Sequence, residues 1–283
     1  MTALWLASVI WALSFGLIGH FLGDLPPVWL GWVRLGLGAL MFLPWAKRIP
    51  VRLAGRLLGL GAVQFGLMYW AYLASFRHAT SHEVALFTAT TPLLVAALSD
   101  MAGRRMRPRN LAAALLAVAA GGLVVWHRGR ISAPLFGFGL VQVSNLCFAL
   151  GQLGYRRIRA GMPRELTDRD VFFWLQAGGW AVLTPPVLPV VLRTMPAPSP
   201  AQWGLVVYLG IVATGGGFFL WNHGARKVDV GRLAVMNNLK IPLGALISLL
   251  VFREEPRLFA LTLGGVLLAA ALVLAWRRER IRI

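Results

Sequence analysis

Residues 85–100 read ALFTATTPLLVAALSD, and residues 235–250 read VMNNLKIPLGALISLL. Each is an apolar run interrupted at the same place by polar residues and a proline: Thr88, Thr90 and Thr91 before Pro92, and Asn237, Asn238 and Lys240 before Pro242. The two stretches lie 150 positions apart. The same offset pairs Gly66 with Gly216, Arg77 with Lys227, Leu93 with Leu243, Leu111 with Leu261 and Trp126 with Trp276. Leucine matches come cheaply in apolar sequence, but proline and tryptophan matches at equal depth do not. A shorter offset aligns Arg34-Leu35-Gly36 with Gln176-Ala177-Gly178, and Pro44 with Pro186. The chain therefore reads as one unit written twice.

Composition says where that unit lives. Of 283 residues, 58% are hydrophobic and 13% charged, where a soluble domain averages about 25% charged. A membrane helix needs about 20 mostly apolar residues. Ten segments qualify: 2–22, 27–46, 54–76, 83–99, 109–126, 134–155, 171–192, 201–222, 231–251 and 258–276. The expected fold is an all-α integral membrane protein whose ten transmembrane helices form two inverted five-helix repeats, residues 1–130 and 131–283. Five is odd, so the second copy enters the bilayer from the opposite side, the arrangement used by alternating-access transporters. The short loops leave no room for a catalytic lobe or a nucleotide-binding cassette. The lone Cys147 excludes a disulfide framework and a thiolate metal cluster, and no cofactor or metal is expected. With no basic start before its apolar run, the N-terminus reads as a retained helix rather than a cleaved signal.

The net charge of +18 could suggest nucleic acid, but the distribution of the charges decides otherwise. If the N-terminus is cytoplasmic, the cytoplasmic segments hold twenty basic residues and the opposite side six: Arg77, Arg128, Arg130, Arg193, Arg253 and Arg257. That is a positive-inside bias. It implies contact with membrane lipids, not nucleic acid, and it places both termini in the cytoplasm. Of the 28 basic residues only Arg34 and Lys240 remain outside this count, and both fall within spans.

Several motifs recur in a recognisable order: Trp11-Ala12-Leu13-Ser14-Phe15-Gly16, Arg34, Ala71-Tyr72-Leu73-Ala74, Thr90-Thr91-Pro92-Leu93, the run from Trp221-Asn222-His223-Gly224 to Val228, and Pro242 followed by Glu254-Glu255-Pro256. Together they resemble the EamA-type members of the drug/metabolite transporter superfamily, over essentially the whole chain. The resemblance implies ten helices, cytoplasmic termini and a central cavity between the halves that moves small metabolites, often amino acids and usually outward. One departure is visible. Arg104 and Arg105 stand where the second half has Glu254 and Glu255.

The chemistry must come from polar groups inside the spans, because lipid supplies no hydrogen bonds. Lys240 lies about ten residues from either end of its span, roughly 15 Å deep at about 1.5 Å per residue. No acidic residue is expected at comparable depth, since Asp24, Glu83, Asp100, Asp229, Glu254 and Glu255 fall at span ends or in loops, so the expected partner is an anionic group on the solute, with a snorkelling or carbonyl-bound lysine as the structural alternative. Pro92 and Pro242 each remove a backbone donor, so kinks are expected there, freeing the carbonyls of Thr88 and Asn238. Candidate substrate-binding residues are therefore Lys240, Asn237, Asn238, Thr88 and Thr90. Trp11, Ser14, Gln64, Tyr69, Gln142, Asn145 and Trp221 join them, with Met68, Tyr72, Gln152 and Asn222 as further lining. Bonding of the threonines to their own backbone and aromatic core packing are the plainer alternatives. Tyr72, Tyr155, Trp126 and Trp276 lie at span ends and read as an interfacial belt. Arg34 reads as structural, a headgroup anchor or an inter-helix clamp.

An enzyme is the alternative from another class. The histidines His20, His78, His82, His127 and His223 lie near span ends or in loops, with no nucleophile motif and no metal-ligand spacing. A cationic-drug exporter is the alternative within transport, and it lacks an acid in the first span where Trp11-Ala12-Leu13-Ser14 stands. The expected function is secondary transport, outward, of a carboxylate-bearing metabolite such as an amino acid or organic acid. The expected partners are a small-molecule substrate, protons as the candidate coupling ion, and at most one further copy of the chain, as a monomer or weak homodimer. Arginine and alanine richness suggests a bacterial inner membrane.

Overall fold

The computed structural model describes residues 1–79, 81–103, 107–125, 135–251 and 258–276. Among them there is helix and turn and no strand. The first half contributes α1 (Thr2–Phe21), α2 (Pro27–Phe42), α3 (Val51–Gly61), α4 (Met68–Ser75), α5 (Ser81–Thr88), α6 (Thr91–Gly103) and α7 (Pro108–Val125). The second contributes α8 (Leu135–Ala160), α9 (Asp168–Arg193), α10 (Pro200–Tyr208), α11 (Gly217–Ala225), α12 (Val230–Met236), α13 (Lys240–Leu250) and α14 (Leu258–Trp276). Eight helices among the described residues are long and apolar enough to cross a membrane, and Pro108–Val124 is a shorter apolar helix. Trp126, Arg104, Arg105, Glu254 and Glu255 lie outside the described residues.

Two of the long helices are composite. A π-helical segment, Ala62–Leu67, joins α3 to α4, and another, Leu209–Gly216, joins α10 to α11. A π-turn accommodates an extra residue within a helix and recurs at functional sites. At the two prolines the chain does more than kink. The helix stops at Thr88 and resumes at Thr91, then stops at Met236 and resumes at Lys240. Pro92 and Pro242 thus sit in the first turn of a new helix, where a missing N–H costs least.

The loops carry explicit start signals. Thr167 and Asp170 form a reciprocal capping box at the start of α9, and Ser199 and Gln202 form another before α10, each satisfying two otherwise orphaned donors. Packing then interleaves the halves: α1 lies against α11 and α13, α2 and α3 against α9, α4 against α8, and α7 against α14. The α3–α9 crossing depends on glycine at one point in each helix. A Cβ on Gly61 would lie 2.8 Å from the Leu175 Cα, and one on Gly178 would lie 2.8 Å from the Leu58 Cα. Only glycine permits backbones to approach so closely. Cys147, on α8, is buried at 4% exposure.

The interfacial-belt expectation fails for Tyr155. Its side chain is fully buried and its hydroxyl donates to Asp168 Oδ1 at 2.8 Å, because α8 continues past the expected span end to Ala160. Trp276 stays exposed with the Arg232 guanidinium 4.5 Å from its ring centroid.

Candidate functional site

The two helix breaks meet. Asn238 Nδ2 donates to the Ala89 carbonyl at 2.8 Å and to the Ala117 carbonyl at 2.7 Å, so one side chain ties the second break to the first and to α7. Its Oδ1 is buried without a hydrogen bond among the described residues. The carbonyls expected to be free are occupied: Thr91 Oγ1 donates to Thr88 O at 2.7 Å, and Ile241 N donates to Asn238 O at 3.0 Å. Thr88 Oγ1 turns back to Val84 O at 2.6 Å. The second alternative of the sequence, threonines satisfied by their own backbone, describes Thr88 and Thr91 well.

Thr90 faces α8 instead. Its Oγ1 lies 2.8 Å from the Phe87 carbonyl and 2.9 Å from Gln142 Oε1, while Asn145 Nδ2 donates to Phe87 O at 3.0 Å and to Thr90 Oγ1 at 3.2 Å. Gln142 and Asn145, three residues apart on one face of α8, thus gather with Thr90 on a carbonyl exposed by the helix break.

Beside the second break, Lys240 opens α13. Its Nζ lies 5.7 Å from the Trp11 ring centroid and 5.6 Å from that of Phe148, within cation–π range of both. Among the described residues no carboxylate comes within ion-pair distance of it. From the two rings beside the ammonium the aromatic packing continues, with Trp11 centroids 5.2 Å from Phe218 and 5.1 Å from Trp221, as one wall. Tyr69 meets Phe218 edge-on at 6.2 Å. Trp11 is held by its own Nε1, which donates to Ala213 O in the second π-helical segment at 2.8 Å. Ser14 bonds Ile10 O one turn back at 2.7 Å, a local use. The sequence reading did not mark Phe148 or Phe218. Phenylalanine is the ordinary filling of an apolar span, and only the fold shows that Phe148 faces a cation and Phe218 packs on the ring beside it.

Two amide networks back this wall. Gln64, in the first π-helical segment, exchanges hydrogen bonds with Asn222 at 3.0 and 3.4 Å, and both are fully buried. Gln152 Nε2 donates to Asn237 Oδ1 at 3.1 Å while its Oε1 accepts from Trp221 Nε1 at 3.2 Å. Asn237 Nδ2 also donates to Leu233 O at 2.8 Å. Gln64 and Asn237 are thus held in buried side-chain networks, and the Gln152 bond fixes Trp221 within the wall. Arg34 is a clamp between halves: its Nε donates to Thr214 Oγ1 at 3.0 Å and its Cζ lies 5.6 Å over the Tyr69 ring.

A second ionic centre escaped the sequence reading. Asp168, 4% exposed at the start of α9, accepts from Tyr155, from Arg159 Nε at 2.9 Å and from His223 Nδ1, and pairs with Arg226 Nε at 2.9 Å. Hydrogen bonds from these partners hold its carboxyl within a cluster that joins α8, α9 and α11. Its signal was present in the cationic spacing Arg156-Arg157-Ile158-Arg159, but which cation would fold onto which acid needs three dimensions.

Long apolar helices, two of them broken mid-course, with a part-buried cation and amide clusters where they meet, have the architecture of a multi-pass membrane transporter. The chain belongs to the EamA-like transporter family, whose model matches residues 1–126 and 136–277. It is 40% identical over 278 residues to a probable biotin transporter of Pseudomonas aeruginosa, covering 96% of each chain. It is 34% identical over 281 residues to the biotin transporter of Escherichia coli K12, covering 96% of this chain and 91% of that one. A solved crystal structure superposes on 97% of the chain and 95% of its own length with a TM-score of 0.80 at 19% identity, a likeness of fold alone.

Proposed function

We propose that the chain moves a ring-bearing monocarboxylate, biotin or a close analogue, across a bacterial inner membrane by alternating access. The observation that carries this reading is Lys240, an ammonium set against Trp11 and Phe148 with no carboxylate in ion-pair reach among the described residues. A solute carboxylate supplies the missing charge, and the aromatic wall receives an uncharged, largely apolar body. Biotin has that division: one carboxylate, an aliphatic arm and a neutral bicyclic head with amide-like N–H and C=O groups. Thr90, Gln142 and Asn145 are polar groups of the right kind for such a head. The names of the relatives support the same class.

An amino acid carries an ammonium as well as a carboxylate. The described residues around Lys240 offer aromatic and amide groups but no acid to pair with it, so the amino-acid reading ranks second and a cationic drug third. The architecture proposed is ten spans in two inverted repeats, 1–130 and 131–283, with both termini cytoplasmic. Two features support it: π-helical segments stand at matching places in the two halves, and so do the helix breaks. The chain is proposed to act as a monomer or weak homodimer. Proton coupling is tested by imposing a pH gradient.

The test is exchange of labelled biotin in proteoliposomes, an assay indifferent to direction. Unlabelled biotin should compete, and biotinamide, which keeps the ring and loses the charge, should not. Lys240→Met should weaken binding roughly ten- to a hundredfold, the effect of removing one charge-assisted hydrogen bond, while Lys240→Arg keeps partial activity. Equal competition by biotinamide, or unchanged exchange in Lys240→Met, would overturn the reading.

A further inference from the structure

Away from the polar centre, α3 and α8 face each other across a groove of about 420 Å³. One wall is Arg56 and Leu60 of α3 with Val63 of the π-helical segment that continues it, and the other is a stripe of α8, Arg157, Gly154 and Leu150. Positions separated by three, four and seven residues share a helix face, so each wall has the same order: an arginine at one end, then apolar side chains for about 10 Å of helix rise. The two arginines lie at the same end of the groove, because α3 begins there and α8 finishes there. Arg56, Arg157 and Leu150 are exposed, so the groove opens on the outer surface of the helix bundle. Among the described residues neither guanidinium has an ion-pair partner.

We infer that this groove is a binding site for one anionic phospholipid, its phosphate held by Arg56 and Arg157 and one acyl chain laid along Leu60, Val63 and Leu150. Charge complementarity selects the occupant. A solute in water would find no reason to enter an apolar trough on the lipid-facing surface, and a neutral lipid would leave two guanidinium groups unanswered. Basic pockets between membrane helices are the expected sites for anionic headgroups. The groove also has a shape that arginines merely reaching for the headgroup layer would lack. Two glycines line it, and a Cβ on Gly59 would meet nothing within 4 Å. The site is independent of which solute is carried.

The test uses the purified full chain, stripped of lipid in detergent, with dioleoylphosphatidylglycerol and dioleoylphosphatidylcholine as probes. Native mass spectrometry should show one phosphatidylglycerol retained per chain in preference to phosphatidylcholine. Arg56→Gln with Arg157→Gln should weaken that retention roughly thirtyfold, taking each surface cation at its usual worth toward an anionic lipid. Gly59→Leu fills the trough with both charges left in place and should lose the preference as well, with an unfolding temperature no lower than wild type in the lipid-free protein. Retention by Gly59→Leu equal to wild type would mean diffuse attraction and overturn the site. So would displacement of the lipid by millimolar glycerol phosphate, which would mark a site for the free anion.

Discussion

Asp168 and Asp170 stand two positions apart at the start of α9 and do different work. Asp170 closes the capping box with Thr167 and pairs with Lys47, whose side chain is 54% exposed. An ion pair so open to solvent contributes little, and the carboxylate's main role is the cap. Asp168 answers Arg159, Arg226, His223 and the Tyr155 hydroxyl in a largely dry place. Asp168→Asn keeps the shape but withdraws the charge and should cost about 1.5–3 kcal/mol, the scale of a hydrogen bond to a charged group. Thermal unfolding in detergent should show a lower Tm for Asp168→Asn than for Lys47→Ala. Equal Tm values would mean that Asp168 adds no more than the exposed pair does. Lys240 is the residue whose unusual setting could be read directly from the sequence, since a lysine inside an apolar run stands out whatever the fold. Asp168 could not, because its neighbours in space lie on three helices.

At the level of elements, the α3–α9 crossing gives a sharp contrast between two glycines of one helix. Gly55 would place a Cβ in open space, whereas Gly61 would drive it into the Leu175 backbone. Gly61→Leu should therefore destabilise by at least the about 1–3 kcal/mol of an overpacked core, and Gly55→Ala should be neutral or slightly stabilising. Unfolding temperatures of the two variants would check this, and equal values would deny the crossing its tightness. Where helices begin and stop was partly legible: Pro92 and Pro242 lie within a few residues of the two breaks, although the expectation there was a kink in a continuous helix. The π-helical segments were not legible. Ala62–Leu67 and Leu209–Gly216 are apolar and glycine-bearing like their surroundings, and one extra residue per turn leaves no compositional trace. The amide partners were half legible. Gln64 and Asn222 are conspicuous in apolar spans, but their mutual bond is a long-range fact.

For the whole molecule, the charge asymmetry makes a claim about orientation. A reporter fused after Ile283 should report cytoplasm, and one inserted within residues 193–199 should report the outside. Finding both on one side of the membrane would contradict the proposed inverted arrangement. The interleaving of α1 with α11 and α13, and of α2 with α9, means that neither half is a free-standing unit. Any rearrangement that opens one face must slide helices of one half along helices of the other, and the Arg34–Thr214 and Asn238–Ala89 bonds lie across that boundary.

Cys147 brings a practical consequence. The chain has a single thiol and it is buried, shielded from bulky water-borne reagents. Paired spin labels or fluorophores introduced at chosen surface positions on the two halves would thus report distances on the otherwise native chain, with no cysteine to remove first.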